Sequence, residues 1–447
     1  MLARRFCFAV CLSSLPLAVE LRAMTLPEAL ARAYQESPRL AAAQARLRAV
    51  DEGVPLALAG GRPQVTVLSS AGFAQTRSAG DTRMLATARQ ALLLSQPVYT
   101  GGAVAADTER ATNEVRAERA RLRRSEQEVL LEAVDAFTAV IRDRAVLELA
   151  TRNERRLSEQ LAATRDRNRF GAVTLTDVAQ AETRLARAAA DRASAESALG
   201  VSTARFQRVI GVAPDELTAA EPLPVDGANL DQVSLDHVPE VEAASFALAS
   251  ARADIDLAEA SLRPRLSLDG GVSYEHEPDT LIDQQSSLRI GASLVIPLFQ
   301  GGGEHARVRQ TRQTALERRN ALADAQRRAE EEIAAANAEL RRAAARIRAL
   351  EVQADRAAFA LDGVRQEALV GARSVIDVLD AEQELFAAEV ELAAARRDEV
   401  LASYRLAAAT GRLDSRSLGL PVEPYDAEAH LREVRDKWFG LGDDAPP

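Results

Sequence analysis

Leu94-Ser95-Gln96-Pro97-Val98-Tyr99-Thr100-Gly101-Gly102 returns 200 residues later as Leu294-Val295-Ile296-Pro297-Leu298-Phe299-Gln300-Gly301-Gly302. Outward from this pair the echo continues at an offset of 200 or 201: Pro38 with Pro239, Pro63 with Pro264, Gly171 with Gly371, Asp177 with Asp377, Gly211 with Gly411. An offset held over so long a stretch means two copies of one structural unit, so length alone misstates the domain count of this 447-residue chain. Each copy reads in the same order: amphipathic helix, two strand-like stretches, long helix, tight break, returning helix. The boundaries follow as a leader at 1–23, a first repeat at 24–220, a second at 221–420 and a tail at 421–447.

The quoted joints mark where strand becomes helix. Pro97 and Pro297 are expected to close a strand, and Gly101, Gly102, Gly301 and Gly302 to permit the bend that follows. Before the second joint, Leu266, Leu268, Gly270, Val272 and Tyr274 alternate with polar neighbours, as do Leu288, Ile290, Ala292, Leu294 and Ile296. Period-two alternation over about 9–11 residues suits a membrane-spanning strand, apolar toward lipid and polar toward a lumen. The first copy is less regular: Val65, Val67, Ala71 and Phe73 fit, but Leu92-Leu93-Leu94 does not alternate. The polar stretches Gln75 to Thr82 and Glu275 to Gln285 read as hairpin tips. Four strands cannot close a barrel, and an open sheet in lipid leaves its edges unpaired. If these strands span a membrane, two or three chains share one barrel.

After the joints no proline interrupts Gly102–Phe170 or Gly302–Leu369, each roughly 100 Å of helix at 1.5 Å per residue. A seam of Ile333, Leu340, Ile347, Ala354 and Leu361, with Ala336, Ala343, Leu350, Ala357 and Val364 between, fits a two-stranded coiled coil. The breaks at Gly171-Ala172 and Gly371-Ala372 send the chain back, so each copy forms a helical hairpin with its tip far from its strands.

Composition agrees and excludes. The chain is 27% charged and 4% aromatic with a net charge of -10, which suits long, ion-paired helices and disfavours a nucleic-acid partner. Arg4 and Arg5, the apolar stretch Phe6 to Val19 and Leu21-Arg22-Ala23 read as a secretory signal. Its loss removes three arginines and one glutamate, leaving -12, and takes both cysteines, Cys7 and Cys11, so no disulfide is expected. Beyond it, no apolar run reaches the length of a transmembrane helix. The four histidines, His237, His276, His305 and His430, have no second ligand at helical spacing, and Gly301-Gly302-Gly303 lacks the lysine of a phosphate loop. No enzyme, metal or cofactor is expected. The remaining alternative to a channel is a soluble periplasmic adaptor or coiled-coil scaffold, although adaptors carry one helical hairpin and this chain has two.

With Gly371-Ala372-Arg373-Ser374-Val375-Ile376-Asp377-Val378-Leu379-Asp380-Ala381 and the two Pro-x-x-x-Gly-Gly joints, nearly all of the chain resembles the TolC family of outer-membrane channels. Pro424-Tyr425-Asp426 and Lys437-Trp438-Phe439-Gly440 resemble its type I secretion branch. The resemblance implies a mainly α protomer of long coiled-coil helices with four transmembrane strands. It implies a homotrimer with a shared twelve-stranded barrel in outer-membrane lipid and a helical tunnel crossing the periplasm. It also implies a passive duct opened by docking of an inner-membrane ABC or RND transporter and a periplasmic adaptor, with the adaptor at the hairpin tips Gly171, Ala172, Gly371 and Ala372. In the family, residues matching Asp377 and Asp380 line the constricted periplasmic mouth, and the arginine matching Arg373 is held by partners matching Thr176 and Asp177. Three apart on a helix, Asp377 and Asp380 share a face. Six such carboxylates around one axis would favour cations and raise one another's pKa values. Thr176-Asp177 and Ser374 with Asp377 read equally as helix N-caps. A tyrosine common in the family just before the second turn is Ala368 here, which leaves a closing contact through that ring without its residue.

Overall fold

The computed structural model describes residues 23–78, 81–224, 234–278 and 282–441. Residues 1–22 of the expected leader, both cysteines among them, and the last six of the tail lie outside the described residues, as do parts of both hairpin tips.

The first repeat begins with three short helices, α1 (Leu26–Glu36), α2 (Pro38–Asp51) and α3 (Gly53–Ala59), where one amphipathic helix was expected. Local chemistry makes the breaks. Thr25 caps α1 in a reciprocal capping box with Glu28, and Ser37 caps α2 with Pro38 in its first turn. Pro55 cannot donate to the Asp51 carbonyl, so α2 cannot run on unbroken into α3. Strands β1 (Gln64–Ser78) and β2 (Asp81–Tyr99) follow, then α4 (Ala103–Arg169) and α5 (Leu175–Ile210). The second repeat runs from a short 3-10 turn (Leu235–His237) through α6 (Pro239–Ala260), β3 (Arg265–His276), β4 (Gln284–Val295), α7 (Gly303–Leu369) and α8 (Val375–Ala409). A last helix, α9 (Ala429–Val434), lies in the tail.

The four strands form one antiparallel sheet in the order β1-β2-β3-β4, so β2 and β3 join the two repeats edge to edge. Register decides its faces. Leu92 stands opposite Val272, Val272 opposite Leu288, and Gly270 opposite Ile290, while Val65 faces Leu94 and Val67 faces Leu92. Paired residues share a side, so one continuous apolar face crosses all four strands. The opposite face is polar. There Ser95 and Ser267 both donate to Asp269 (2.8 and 2.9 Å), the Ser273 and Ser287 hydroxyls meet at 2.8 Å, and Arg89 pairs with Glu275 at 3.1 Å. Leu93, the residue that spoils the alternation, lies on this polar face opposite Gly271. A Cβ added at Gly271 would sit 3.0 Å from the Leu93 side chain, so the glycine makes the room.

Two expectations need correction. The strands hold 15, 19, 12 and 12 residues, longer than the expected span, and the first hairpin is the longest because it runs on past the ladder shared with β3, which ends where Ala88 meets His276. Pro97 does not close its strand: β2 continues to Tyr99 across a register irregularity between Pro97 and Tyr99, which absorbs the missing donor. In the second repeat β4 does stop at Val295, before Pro297.

The helices α4 and α7 each run 67 residues, about 100 Å at 1.5 Å per residue. Each pairs with its return helix, α4 with α5 and α7 with α8, while α6 packs against both α4 and α7. The heptad seam is the buried side of α7: Ile333, Ala336, Ala343, Leu350, Ala357 and Leu361 are buried, and alanines let the axes approach closely. At the waist, α1, α4, α5 and α8 meet in the largest apolar cluster, around Leu30, Leu130, Phe137, Phe206, Leu401 and Leu413. Phe137 and Phe206 are wholly buried, with ring centroids 6.2 Å apart.

The tail docks on the first repeat. Tyr425, Ala427 and Leu431 pack on the α2-α3-α4 cluster, the Tyr425 amide donates to the Tyr34 hydroxyl at 3.0 Å, and Arg119 pairs with Glu428 at 3.0 Å. His430 Nδ1 lies 3.3 Å from Asp51, whose carboxyl is pushed up by burial against the opposing pull of His430. Arg62 stacks on Trp438 with its guanidinium carbon 5.1 Å from the ring centroid and donates to the Lys437 carbonyl at 2.9 Å.

Candidate functional site

The residues singled out in the sequence fall at two places: the strand-helix joints beneath the sheet and the ends of the helical hairpins. At the strand-helix joints Gly101, Gly102, Gly301 and Gly302 have φ of 71°, 93°, 68° and 82°, with Gly102 and Gly302 as the N-caps of α4 and α7. Only glycine enters this left-handed region without strain. A Cβ at Gly101 would also lie 2.8 Å from the Ala260 carbonyl oxygen, so the joint packs directly on the end of α6.

The hairpin tips are built alike. Gly171 (φ 74°) and Gly371 (φ 79°) end α4 and α7 as the left-handed residues of Schellman motifs. The Ala172 and Ala372 amides reach back to the carbonyls of Arg167 and Glu367, each at 2.9 Å. Three residues on, a capping box opens each return helix. Thr174 and Asp177 exchange hydrogen bonds of 2.8 Å (Thr174 amide to carboxylate) and 3.2 Å (Asp177 amide to hydroxyl), and Ser374 and Asp377 do so at 2.9 and 3.2 Å. Asp177 and Asp377 therefore hold capping positions, whereas Thr176 does not: the cap of α5 is Thr174. The signal was present in sequence as Thr-x-x-Asp beside Ser-x-x-Asp at the same offset.

At the second tip the cap also sets the electrostatics. The Asp377 carboxyl is held below the usual carboxylate range by hydrogen bonds from the Ser374 side chain and amide, with a smaller pull from Arg373. A lowered carboxylate stabilises the fold above its unfolded pKa and loses that contribution as pH falls through the folded value. Acidification should accordingly loosen the start of α8, and Asp377→Asn should erase that step in amide hydrogen exchange of residues 374–378 while leaving α5 unchanged. Arg373 does not reach Thr176 or Asp177 in its own chain; it pairs with Glu367 across the turn at 2.7 Å. Asp380 is not an open carboxylate, because Arg184 of α5 donates to it at 2.5 Å. Ala368 is half-buried against the cluster of Ala357, Leu361, Val378 and Leu385.

Below the tips, one ion pair is written twice. Arg165 meets Glu182, and Arg365 meets the buried Glu382, each at 2.6 Å and each closing its own hairpin. Among the described residues no helix is long and apolar enough to cross a membrane. The exposed side chains of Val65, Val67, Phe73, Leu288, Ile290 and Leu294 instead mark the apolar face of the sheet.

A sheet apolar on one side, standing on two antiparallel coiled-coil hairpins, is the protomer architecture of an outer-membrane channel. The sequence profile of the outer membrane efflux protein family matches residues 29–212 and 230–412, and the chain belongs to that family. It is 33% identical over 421 residues to the outer membrane efflux protein BepC of Brucella suis, covering 93% of this chain and 92% of that protein. With the outer membrane protein TolC of Vibrio cholerae it shares 25% identity, over 89% of this chain and 92% of that one. The fold is that of the Campylobacter jejuni CmeC outer membrane channel, at a TM-score of 0.81 and 14% identity over 92% and 89% of the two chains. The protein is thus an outer-membrane channel protein of the TolC type that extends into the periplasm, and not an enzyme.

Proposed function

We propose that three copies assemble into one passive exit duct for type I protein secretion or multidrug efflux, with a twelve-stranded barrel above and a helical tunnel below. The observation that carries this reading is the sheet: four strands with one continuous apolar face, and β1 and β4 as edges with no partner among the described residues. Such edges in lipid leave backbone groups unpaired at several kcal/mol each, roughly, which a ring of sister copies removes. Detergent-extracted protein should cross-link as a trimer and conduct in planar bilayers. A monomer released from membranes by salt or osmotic shock would sink the reading.

In this assembly the tips around Gly171, Ala172, Gly371 and Ala372 are where a periplasmic adaptor docks, bringing with it an inner-membrane ABC or RND transporter. Asp377, Asp380, Arg373, Thr176 and Asp177 then surround the closed mouth. Arg373 is poised there, exposed and paired with Glu367 within its chain, so it can be shared with a neighbouring copy. Arg373→Ser should raise single-channel conductance, and Asp377→Ala should reduce the preference for cations. If both variants conduct as the parent does, the mouth lies elsewhere.

A further inference from the structure

We propose that Arg184 sets the ion preference of the periplasmic mouth and latches its two hairpins together by holding Asp380. This rests on the reading of the tips as the closed mouth of a trimer.

The pair is the product of divergence between the copies. One turn into each return helix, two positions on one face carry Gln180 and Arg184 in α5 but Asp380 and Glu384 in α8. The surrounding turn is kept: Asp177 and Asp377, Ala181 and Ala381, Glu182 and Glu382 match at the same offset. The first copy has thus become neutral and basic where the second is acidic, and the structure joins the two across the gap at 2.5 Å. Residues 196 apart in sequence are brought together.

Position distinguishes this contact from its neighbours. The Arg165–Glu182 and Arg365–Glu382 pairs each lie within one hairpin and hold it closed in any state of the mouth. Arg184–Asp380 spans the two hairpins. It flanks the apolar patch where they touch, with Ala181 and Ala188 of α5 against Val375 and Leu379 of α8. Asp380 is 58% exposed and Arg184 32%, so water can take over both charges when the hairpins separate. A contact that is exposed, charged and between moving parts can be made and broken with the mouth.

The charge balance follows. Asp377 and Asp380 from three copies supply six carboxylates, and three Arg184 guanidinium groups beside them halve the net charge. A paired Asp380 therefore favours cations less than an open one, and separation of the hairpins would make the mouth more cation-selective as it widens.

The test is the reversal potential and conductance of detergent-purified, assembled protein in planar bilayers under a salt gradient. Arg184→Gln should raise the cation-to-anion permeability ratio by about twofold or more and increase conductance. Asp380→Asn should lower the ratio and also increase conductance, since it too breaks the latch. Arg184→Asp with Asp380→Arg should return both quantities to parental values. Asp377→Asn serves as the marker of the mouth. If it shifts the ratio but Arg184→Gln does not, the Arg184 proposal is wrong while the channel reading stands. Failure of the double reversal to restore conductance overturns the latch. If neither Asp377→Asn nor Arg184→Gln changes a conducting channel, or none conducts, both the mouth assignment and the proposal fall.

Discussion

Replacing Gly411 with alanine should cost the fold about 2–5 kcal/mol, combining the left-handed backbone of a non-glycine residue with overpacking. Gly411 has a φ of 73° at the end of α8, where the Arg412 amide reaches back to the Ala407 carbonyl at 2.8 Å. A Cβ there would stand 2.6 Å from the carbonyl oxygen of His237 and 3.2 Å from its carbonyl carbon. These are backbone atoms, which cannot swing aside as a side chain would. Either the turn at Leu235–His237 moves or α8 ends early, and Leu413, wholly buried in the waist cluster, moves with it. Gly371→Ala is the informative control, because it shares the left-handed backbone (φ 79°) but has nothing within 4 Å of the added Cβ. Thermal unfolding in detergent should rank the parent above Gly371→Ala, and Gly371→Ala well above Gly411→Ala. Equal losses in the two variants would mean that the waist tolerates the added atom.

The second large effect lies in the sheet. Ile290 is 83% exposed near the middle of β4, opposite Gly270 and on the same face as Leu288 and Leu294. Arginine on the lipid face of a barrel near the bilayer centre costs about 2–4 kcal/mol, falling toward the interfaces. Ile290→Arg should therefore lower the share of protein recovered in the outer-membrane fraction several-fold. Ser293→Arg places the same side chain on the polar face, opposite Ser267, and should leave recovery nearly unchanged. The two positions lie three residues apart on one strand and therefore on opposite faces, so equal behaviour would contradict the assignment of faces.

Much of this fold was legible because the features that built it are local. A positive φ demands glycine, and the repeated Gly171 and Gly371 announce a chain reversal wherever they fall. The α7 seam repeats every seven residues, and the even-numbered residues from Leu266 to Tyr274 and from Leu288 to Leu294 are apolar or glycine. What escaped depends on partners far along the chain. Leu93 is an anomaly until the β2-β3 register sets it over Gly271. Pro97 reads as a strand end until a ladder irregularity absorbs it. Of the tip residues, Asp177 and Asp377 were legible as caps, but Thr174 was passed over for Thr176. Arg184 gave no sign at all: an arginine on a charged helix surface has no local pattern that points to a carboxylate in the other repeat.

The docking of residues 421–441 on α2, α3 and α4 has a consequence for biogenesis. A polypeptide delivered amino end first would present the groove around Tyr34 and Val54 long before Tyr425 and Leu431 emerge to fill it. The first repeat then stays unfinished until the second has crossed. Products broken off early would keep an open apolar cleft, which periplasmic proteases and chaperones are suited to recognise, so completion of the chain is checked by its own shape.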